Sequence, residues 1–280
     1  MNFKQLEQYF IKELFVWYEQ EEAKQLFYLA AEDVSGYNRT QLLMDAMTIP
    51  GTEQFLAYEY ILLELKKGRP MQHILAEAWF YGLKFKVNES VLIPRPETEE
   101  LIEWILDTVK VQPVSSILDI GTGSGCIAIA LKKNLEQVEV SALDVSADAL
   151  TVARENAAAN NTAINFIHSD IITYSSPVKY DLIVSNPPYI TQTEKEEMHH
   201  NVLAYEPHLA LFVSNENPLL FYKSIADFAL LNLKPGGRLF FEINEYLGKE
   251  TVDMLLDKGL SNIILKTDMQ GKDRMISCNL

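Results

Sequence analysis

The spacing of apolar positions splits the chain into a helical first quarter and an alternating strand–helix remainder. In FKQLEQYFIKELFVWYEQ, residues Phe3, Leu6, Phe10, Ile11, Leu14 and Phe15 recur at helical spacing with strong helix formers between them. AEDVSG reads as a break and RTQLLMDAM as a second, short amphipathic helix. TEQFLAYEYILLELKKG reads as a third, stopping on paired lysines and Gly68. Residues 1–75 are therefore expected to form a small helical bundle whose aromatic stripes are core. From Trp79 the period shortens. FYGLKFKVNESVLI alternates apolar and polar residues around Asn88, which predicts a hairpin and makes residues 76–95 a connector. Pro94 and Pro96 end that extended stretch. Glu97, Glu99 and Glu100 then load the first turn of a helix whose stripe is Leu101, Ile102, Ile105, Leu106 and Val109.

After Pro113 strands and helices alternate. SSILDI, VEVSALD, INFIHSD, YDLIVSN and GGRLFFEI read as short apolar strands, with helices opening at GCIAIALKKN and SADALTVARENAAAN and near residues 217–233 and 248–258. Such alternation predicts an α/β domain over residues 96–280, with a mostly parallel sheet covered on both faces. The last runs, NIILKT and RMISCN, are joined by the turn DMQGKD and must be antiparallel neighbours, an edge pair on that sheet.

Composition narrows the function. Apolar residues make up 48% of the 280 residues and charged residues 22%, enough apolar material for a core in each part. The formal net charge is −15 and both parts are negative, which argues against a protein that holds a nucleic-acid backbone by counterion release. Cys126 and Cys278 stand far apart in no metal-ligand spacing, so neither a disulfide scaffold nor a zinc cluster is expected, and no metal is assigned. The first residues alternate charge and apolar groups, unlike a secretory leader. No uncharged apolar run approaches the ~18 residues of a membrane span. The expectation is a cytoplasmic protein without a membrane partner. Trp79 and Trp104 are expected in the core or between domains, His199 and His200 on a solvated surface, and TEKEEM on a mobile or merely exposed segment.

Asp119-Ile-Gly-Thr-Gly-Ser-Gly125 falls where the first strand turns into a helix, the place where open sheets receive ligands. A plain strand-to-helix turn would also carry glycines. Two carboxylates sharpen the reading. Asp144 closes the second strand, where an acid can accept both ribose hydroxyls, and Asp170 closes the third, near an adenine pocket. The dinucleotide fingerprint fails at its last position, because Cys126 follows Gly125. The pattern D-x-G-x-G-x-G with an acid after strand two is the one class I S-adenosylmethionine methyltransferases show.

Asn186-Pro187-Pro188-Tyr189 directly follows the strand YDLIVS. A strand halted by prolines accounts for the prolines and leaves Asn and Tyr unexplained. Two prolines make a stiff turn that fixes the Asn186 side chain and the Pro187 carbonyl as neighbouring acceptors. A planar –NH₂ group has two donors to offer them, and Tyr189 can pack against the planar group. The pattern therefore points to a methyl acceptor of the amide or exocyclic-amine type. It needs no metal, no covalent intermediate and no strong base.

Taken together, IPRPETEELIEWIL, ILDIGTGSGCIAIAL, IVSNPPYI, YEPHLAL and GKDRMI resemble the release-factor glutamine methyltransferases, the HemK/PrmC family, from about Tyr81 to the C-terminus. The resemblance implies a Rossmann-like class I methyltransferase sheet with an N-terminal helical substrate-recognition domain. It also implies S-adenosyl-L-methionine as cofactor and bacterial peptide-chain release factors as partners. The expected reaction is methylation of the side-chain amide nitrogen (N5) of the glutamine in their Gly-Gly-Gln motif. It places Gly121, Thr122, Gly123, Ser124 and Gly125 at the donor, Asp144 on the ribose, and Asp170 with Ile171 beside the adenine. Asn186 and Pro187 become the catalytic clasp, with Asn186 also reaching the donor, and Pro188 and Tyr189 shape the substrate slot. Arg95, Glu97 and Thr98 would stand near the entrance. The family commonly has E-I-G with a downstream Gln where this chain has Glu242-Ile243-Asn244 and Leu247, so no role is assigned there. The alternative is adenine-N6 methylation of DNA or RNA, since those enzymes share the NPPY element.

Overall fold

The computed structural model describes residues 1–197 and 200–280. The chain forms two compact units, Met1–Ala76 with His200–Tyr205, and Glu77–His199 with Glu206–Leu280. Met198, His199 and the side chains of Glu196, Glu197 and His200 lie outside the described residues, and with them most of what the sequence suggested for that segment.

In the first unit, helices α1 (Phe3–Leu14), α2 (Gln20–Ser35), α3 (Arg39–Met44), α4 (Thr52–Lys66) and α5 (Met71–Leu75) close on one apolar core. Asn2 and Gln5 cap α1 reciprocally, and its buried stripe is Phe3, Leu6, Phe10 and Leu14. Phe27 of α2 sits between Phe10, edge-on at 5.5 Å, and Tyr58 of α4, stacked at 5.8 Å. The sequence misplaces one break. AEDVS is the last turn of α2, which ends where Gly36 takes φ 67° and bonds Glu32 O at 3.0 Å while Tyr37 N–H reaches Ala31 O at 3.3 Å. The interruption comes earlier, after Leu14. There Phe15, Val16 and Trp17 are exposed, so a longer α1 would gain no burial to offset its ordering cost. A short helix of the second half of the chain, His200–Tyr205, also belongs to this unit, with Tyr205 Oη donating to Lys67 O at 3.2 Å.

The second unit begins with a hairpin, β1 (Glu77–Phe80) and β2 (Leu83–Lys86). Its turn lies at Tyr81–Gly82 and not at Asn88. Both residues have positive φ, 49° and 71°, as a two-residue hairpin turn of the I′ type requires. Asn88 instead shapes the next bend, accepting from Ser90 N–H at 2.9 Å. The hairpin is packed into this unit rather than strung beside it. Asn156 Oδ1 accepts from Lys86 N–H at 2.6 Å while its Nδ2 donates to Lys86 O at 3.0 Å and to Ser124 O at 2.9 Å. Trp79 is 68% exposed and belongs to no core, whereas Trp104 packs edge-on against Phe240 at 5.3 Å.

The elements that follow are α6 (Pro96–Val111), β3 (Ser116–Ile120), α7 (Cys126–Asn134), β4 (Glu139–Asp144), α8 (Ala147–Ala159), β5 (Asn165–His168), β6 (Tyr180–Ser185) and β7 (Ile190–Thr191). A 3₁₀ turn at Glu194–Glu197 and α9, the His200–Tyr205 helix, come next. The chain ends with α10 (His208–Leu211), β8 (Phe212–Val213), α11 (Leu220–Asn232), β9 (Leu233–Glu242), α12 (Gly248–Asp257), β10 (Ser261–Thr267) and β11 (Asp273–Asn279). The main sheet has seven strands in the order β10-β11-β9-β6-β3-β4-β5. Pairings are parallel from β5 to β9, and β11 is antiparallel to both β9 and β10. The antiparallel pair is therefore present, with the last strand inserted inside the edge. Alternate residues supply two cores. Ile117, Val140, Leu182 and Phe240 face one, shared with α6 and α7, and Leu118, Leu143, Ile183 and Phe241 face the other, shared with α11 and α12. Among the described residues no helix is long and apolar enough to cross a membrane.

Candidate active site

Strands β3 and β6 are parallel neighbours with Ile120 opposite Ser185, and Ser185 Oγ donates to Ile120 O at 2.6 Å. From β3 the chain winds outward to β4 and β5, then crosses back to β6 on the other flank. Strand order reverses there, so the two loops leaving β3 and β6 diverge around a crevice beyond the strand ends. The first loop is the glycine segment and the second is the Asn-Pro-Pro-Tyr corner.

The glycine loop spends its amide protons on the protein. Gly121 and Thr122 N–H donate to Leu143 O at 2.8 and 3.0 Å, Gly123 N–H to Asp144 Oδ2 at 2.8 Å, and Gly125 N–H to Thr122 O at 2.8 Å. The start of α7, a natural anion site, is taken by a carboxylate of the chain itself. Asp119 Oδ2 accepts from Ala128 N–H at 3.2 Å and from Thr122 Oγ1 at 2.6 Å. Burial pushes the Asp119 carboxyl up to about 7. Gly125 serves packing. Its φ is 83°, and a Cβ there would come within 3.0 Å of Ile129 Cδ1 and 3.2 Å of Ala153 Cβ, which lets α7 lie close to α8. A loop wired this way has few donors left for a phosphate.

Two adjoining hollows open between the loops and share Gly121, Asp144, Val145 and Pro188 as walls. One is floored by Asp170, Ile171 and Phe221, and the other is bounded by Gly123, Ser90–Leu92 and Asn186. Among the described residues the lining includes two acids and no Lys, Arg or His. Asp144 keeps capacity for a ligand: Oδ1 accepts from Ser146 N–H at 2.9 Å and Oδ2 from Gly123 N–H, which does not exhaust a carboxylate's lone-pair sites. Burial raises the Asp144 carboxyl above its ordinary range, against the pull of the Ser146, Gly123 and Val145 N–H groups. Asp170 Oδ1 holds Ile172 N–H at 2.9 Å.

The corner after β6 is braced from behind. Asn186 Nδ2 donates to Thr98 Oγ1 at 3.4 Å, Thr98 Oγ1 donates to Glu242 Oε2 at 2.6 Å, and Tyr189 Oη donates to Glu242 Oε1 at 3.2 Å. Burial raises the Glu242 carboxyl, while the Thr98 hydroxyl and the Arg274 charge draw it back down. Burial and the Glu242 charge raise the Tyr189 phenol, so it remains a donor. Asn244 Nδ2 bonds Tyr189 O at 3.1 Å and Glu194 Oε1 at 2.8 Å. On the far rim Arg95 pairs with buried Glu206 at 2.5 Å, and Glu206 Oε2 also accepts from Ile93 N–H at 3.2 Å.

A family model described as the methyltransferase small domain matches residues 101–209. A release factor glutamine methyltransferase of Flavobacterium psychrophilum is 47% identical over 274 residues, covering 96% of both chains. The chain belongs to the release factor glutamine methyltransferase family. A second member, from Bacteroides thetaiotaomicron, is 42% identical and covers 94% of each chain. Among solved structures, a methyltransferase from Pyrococcus furiosus superposes with a TM-score of 0.53 at 20% identity over 77% of this chain and 98% of that one. This likeness concerns the fold alone, a Rossmann-like methyltransferase sheet.

In this member of the family the hollows gather Gly121, Gly123, Asp144, Asp170, Ile171, Asn186, Pro187 and Pro188. Thr122, Ser124, Gly125 and Tyr189, expected at the donor or substrate, are not on the walls. The Thr122 hydroxyl is spent on Asp119, the Ser124 carbonyl on Asn156, and the Tyr189 hydroxyl on Glu242. They hold the loops from within. Glu97 meets Gln270 at the surface, at 3.4 Å. Sequence reasoning assigned nothing to Glu242, Asn244, Glu206 or Asn156. Glu242 had a signal: an acid closing the otherwise apolar strand RLFFE at its carboxyl end. Burial pushes the Cys126 thiol up to about 12, so it stays protonated and is no nucleophile.

Proposed function

We propose that the chain transfers the methyl group of S-adenosyl-L-methionine to the side-chain amide nitrogen of the glutamine in the Gly-Gly-Gln motif of bacterial release factors. One observation carries this reading for a chain of this family: the Asn186–Pro188 corner and the Gly121–Asp144 floor are walls of the same hollows. The donor suits them. It is a cation without phosphate, and the lining among the described residues is acidic, free of basic side chains, and backed by a loop whose amides are already engaged. Gly121 and Gly123 would let backbone approach it, Asp144 would take its ribose hydroxyls, and Asp170 with Ile171 would border its adenine. When bound, the donor supplies an electrophilic methyl group with its own leaving group.

The chain's own part is positioning. The glutamine carboxamide has a delocalised lone pair and is a poor nucleophile. Asn186 Oδ1 and the Pro187 carbonyl accept its two N–H donors and turn the face of the nitrogen toward the donor. Alignment of this kind is worth up to about 7–11 kcal/mol of barrier. The surplus proton is lost to solvent after transfer, when the nitrogen is far more acidic.

The helical unit would add contact with the release factor, because one side-chain slot offers too little surface to select a protein. Leu56, Tyr60 and Leu63 form an exposed apolar line on α4 that supports this role. Replacing Leu56 and Leu63 by Glu should raise KM for the full-length factor and leave a short Gly-Gly-Gln peptide unaffected. Methylation of a flipped adenine would use the same corner, but a net charge of −15 and a hollow lined, among the described residues, without cations disfavour it. Labelled donor offered to a release factor, DNA and RNA in parallel tests the assignment. Label should enter the Gly-Gly-Gln peptide; preferential transfer to nucleic acid would reverse the conclusion.

A further inference from the structure

We propose that Glu242, acting through the Thr98 hydroxyl, decides which end of the Asn186 carboxamide faces the substrate; this rests on the methyl-transfer reading above. A carboxamide is nearly symmetric in shape and opposite in hydrogen-bonding character at its two ends. With Oδ1 toward the glutamine it can accept a substrate N–H. Turned around, it would set donor against donor, and the slot would no longer select or orient an –NH₂ group.

The polarity is imposed from behind in two steps. Glu242 is 2% exposed and accepts at both oxygens, from Thr98 at 2.6 Å and from Tyr189 at 3.2 Å. Thr98 is 3% exposed, and its single hydroxyl proton is committed to that short, charge-assisted bond. Its oxygen can then only accept. Asn186 answers with Nδ2 at 3.4 Å, a long contact of the kind that tightens when substrate fills a site. Were Oδ1 to face Thr98, two lone pairs would meet. The three groups come from the first turn of α6, the end of β9 and the loop after β6, so no local motif contains them. The matched methyltransferase region, residues 101–209, includes Asn186 but neither Thr98 nor Glu242.

A purely structural tie between α6 and β9 would tolerate an isosteric change at Glu242. A polarity relay would not, because the amide of Glu242→Gln can donate to Thr98 and free its proton for Asn186, reversing the signal. Four proteins decide between these: wild type, Glu242→Gln, Thr98→Val and Thr98→Ser. Each is assayed for kcat and KM with S-adenosylmethionine and a full-length release factor, and for S-adenosylhomocysteine affinity by calorimetry. Thr98→Val and Glu242→Gln should lower kcat roughly 10- to 100-fold, the scale of a small misalignment of reacting groups, with product affinity unchanged. Thr98→Ser should recover most of the loss. Wild-type kcat in Thr98→Val or Glu242→Gln, or a Thr98→Ser variant as impaired as Thr98→Val, would overturn the relay alone. If Glu242→Gln fails to fold, the Thr98 pair decides. A wild type inert on release factor would overturn the methyl-transfer reading, and the relay with it.

Discussion

In the helical unit Phe10, Phe27 and Tyr58 meet ring to ring and, among the described residues, His73 is the one buried polar side chain. The sheet unit buries Asp119, Asp144, Glu206, Glu242 and Asp268. An apolar core needs only burial, and burial stabilises. A buried carboxylate costs free energy unless N–H or O–H groups meet it, so a set of five has to be explained by what each one holds. Asp119 fixes the glycine loop to α7, Asp144 ties Gly123 and Ser146, Glu206 binds Arg95 and the Ile93 amide, and Glu242 braces the corner through Thr98 and Tyr189. Asp268 organises the turn before β11, accepting from Gln270 and Lys272 N–H at 2.9 and 3.0 Å. The interior of one unit is apolar packing, and that of the other gives up some stability to keep loops in register around a hollow.

The contrast breaks most visibly at the corner. Asn186→Ala should cut kcat at least roughly 100-fold, by loss of alignment, without lowering the melting temperature; activity near wild type would remove the corner from the chemistry. Next in size, Phe27→Ala should cost the helical unit about 3–5 kcal/mol, since its ring is 1% exposed between two others. Urea denaturation followed with hydrogen exchange reads that loss, and donor-product affinity should hold because the hollow is lined by the sheet unit.

Asp119→Asn sharpens the comparison through pH. The folded carboxyl is raised from 3.8 to about 7, so between those values the native state binds more protons than the unfolded chain. This group's contribution to wild-type stability is therefore greatest below the lower value and declines as pH rises through about 7. The variant lacks this group's share of the decline, on the order of 2–4 kcal/mol for a shift of this size. Parallel urea titrations at pH 4.5 and pH 8 give the difference, and identical slopes for the two proteins would refute the assignment. Smallest of all, Trp79→Ala should change stability by less than about 0.5 kcal/mol, because the ring is 68% exposed.

Much of the fold was legible because its signals are local. Strand and helix periods, the glycine turn after β3 and the proline stop after β6 are each written within a few residues. Errors arose where local cues compete. AEDVSG carries turn-forming residues, but Gly36 alone supplies the left-handed cap, and the chain stays helical up to it. KVNES resembles a turn, while the hairpin needed two consecutive left-handed residues, which Tyr81–Gly82 provide. At the site, residue types named the walls well, and the direction of each side chain was beyond reach. Thr122 stands between Gly121 and Gly123, which line the hollow, yet its hydroxyl turns to Asp119, and Ser124 is 2% exposed with its carbonyl held by Asn156. The Thr98–Glu242 bond joins residues far apart in the chain. Only the folded sheet shows that an acid ending β9 stands behind a threonine opening α6.

The central claim is that the two loops leaving β3 and β6 form one site for donor and carboxamide together. A crystal structure with S-adenosylhomocysteine and a Gly-Gly-Gln peptide measures this directly. The product should lie against Gly121, Asp144 and Asp170, with the glutamine nitrogen bonded to Asn186 Oδ1 and Pro187 O and its face turned to the sulfur. A carboxamide seated elsewhere, or a product lying outside the hollow those residues line, would contradict the account.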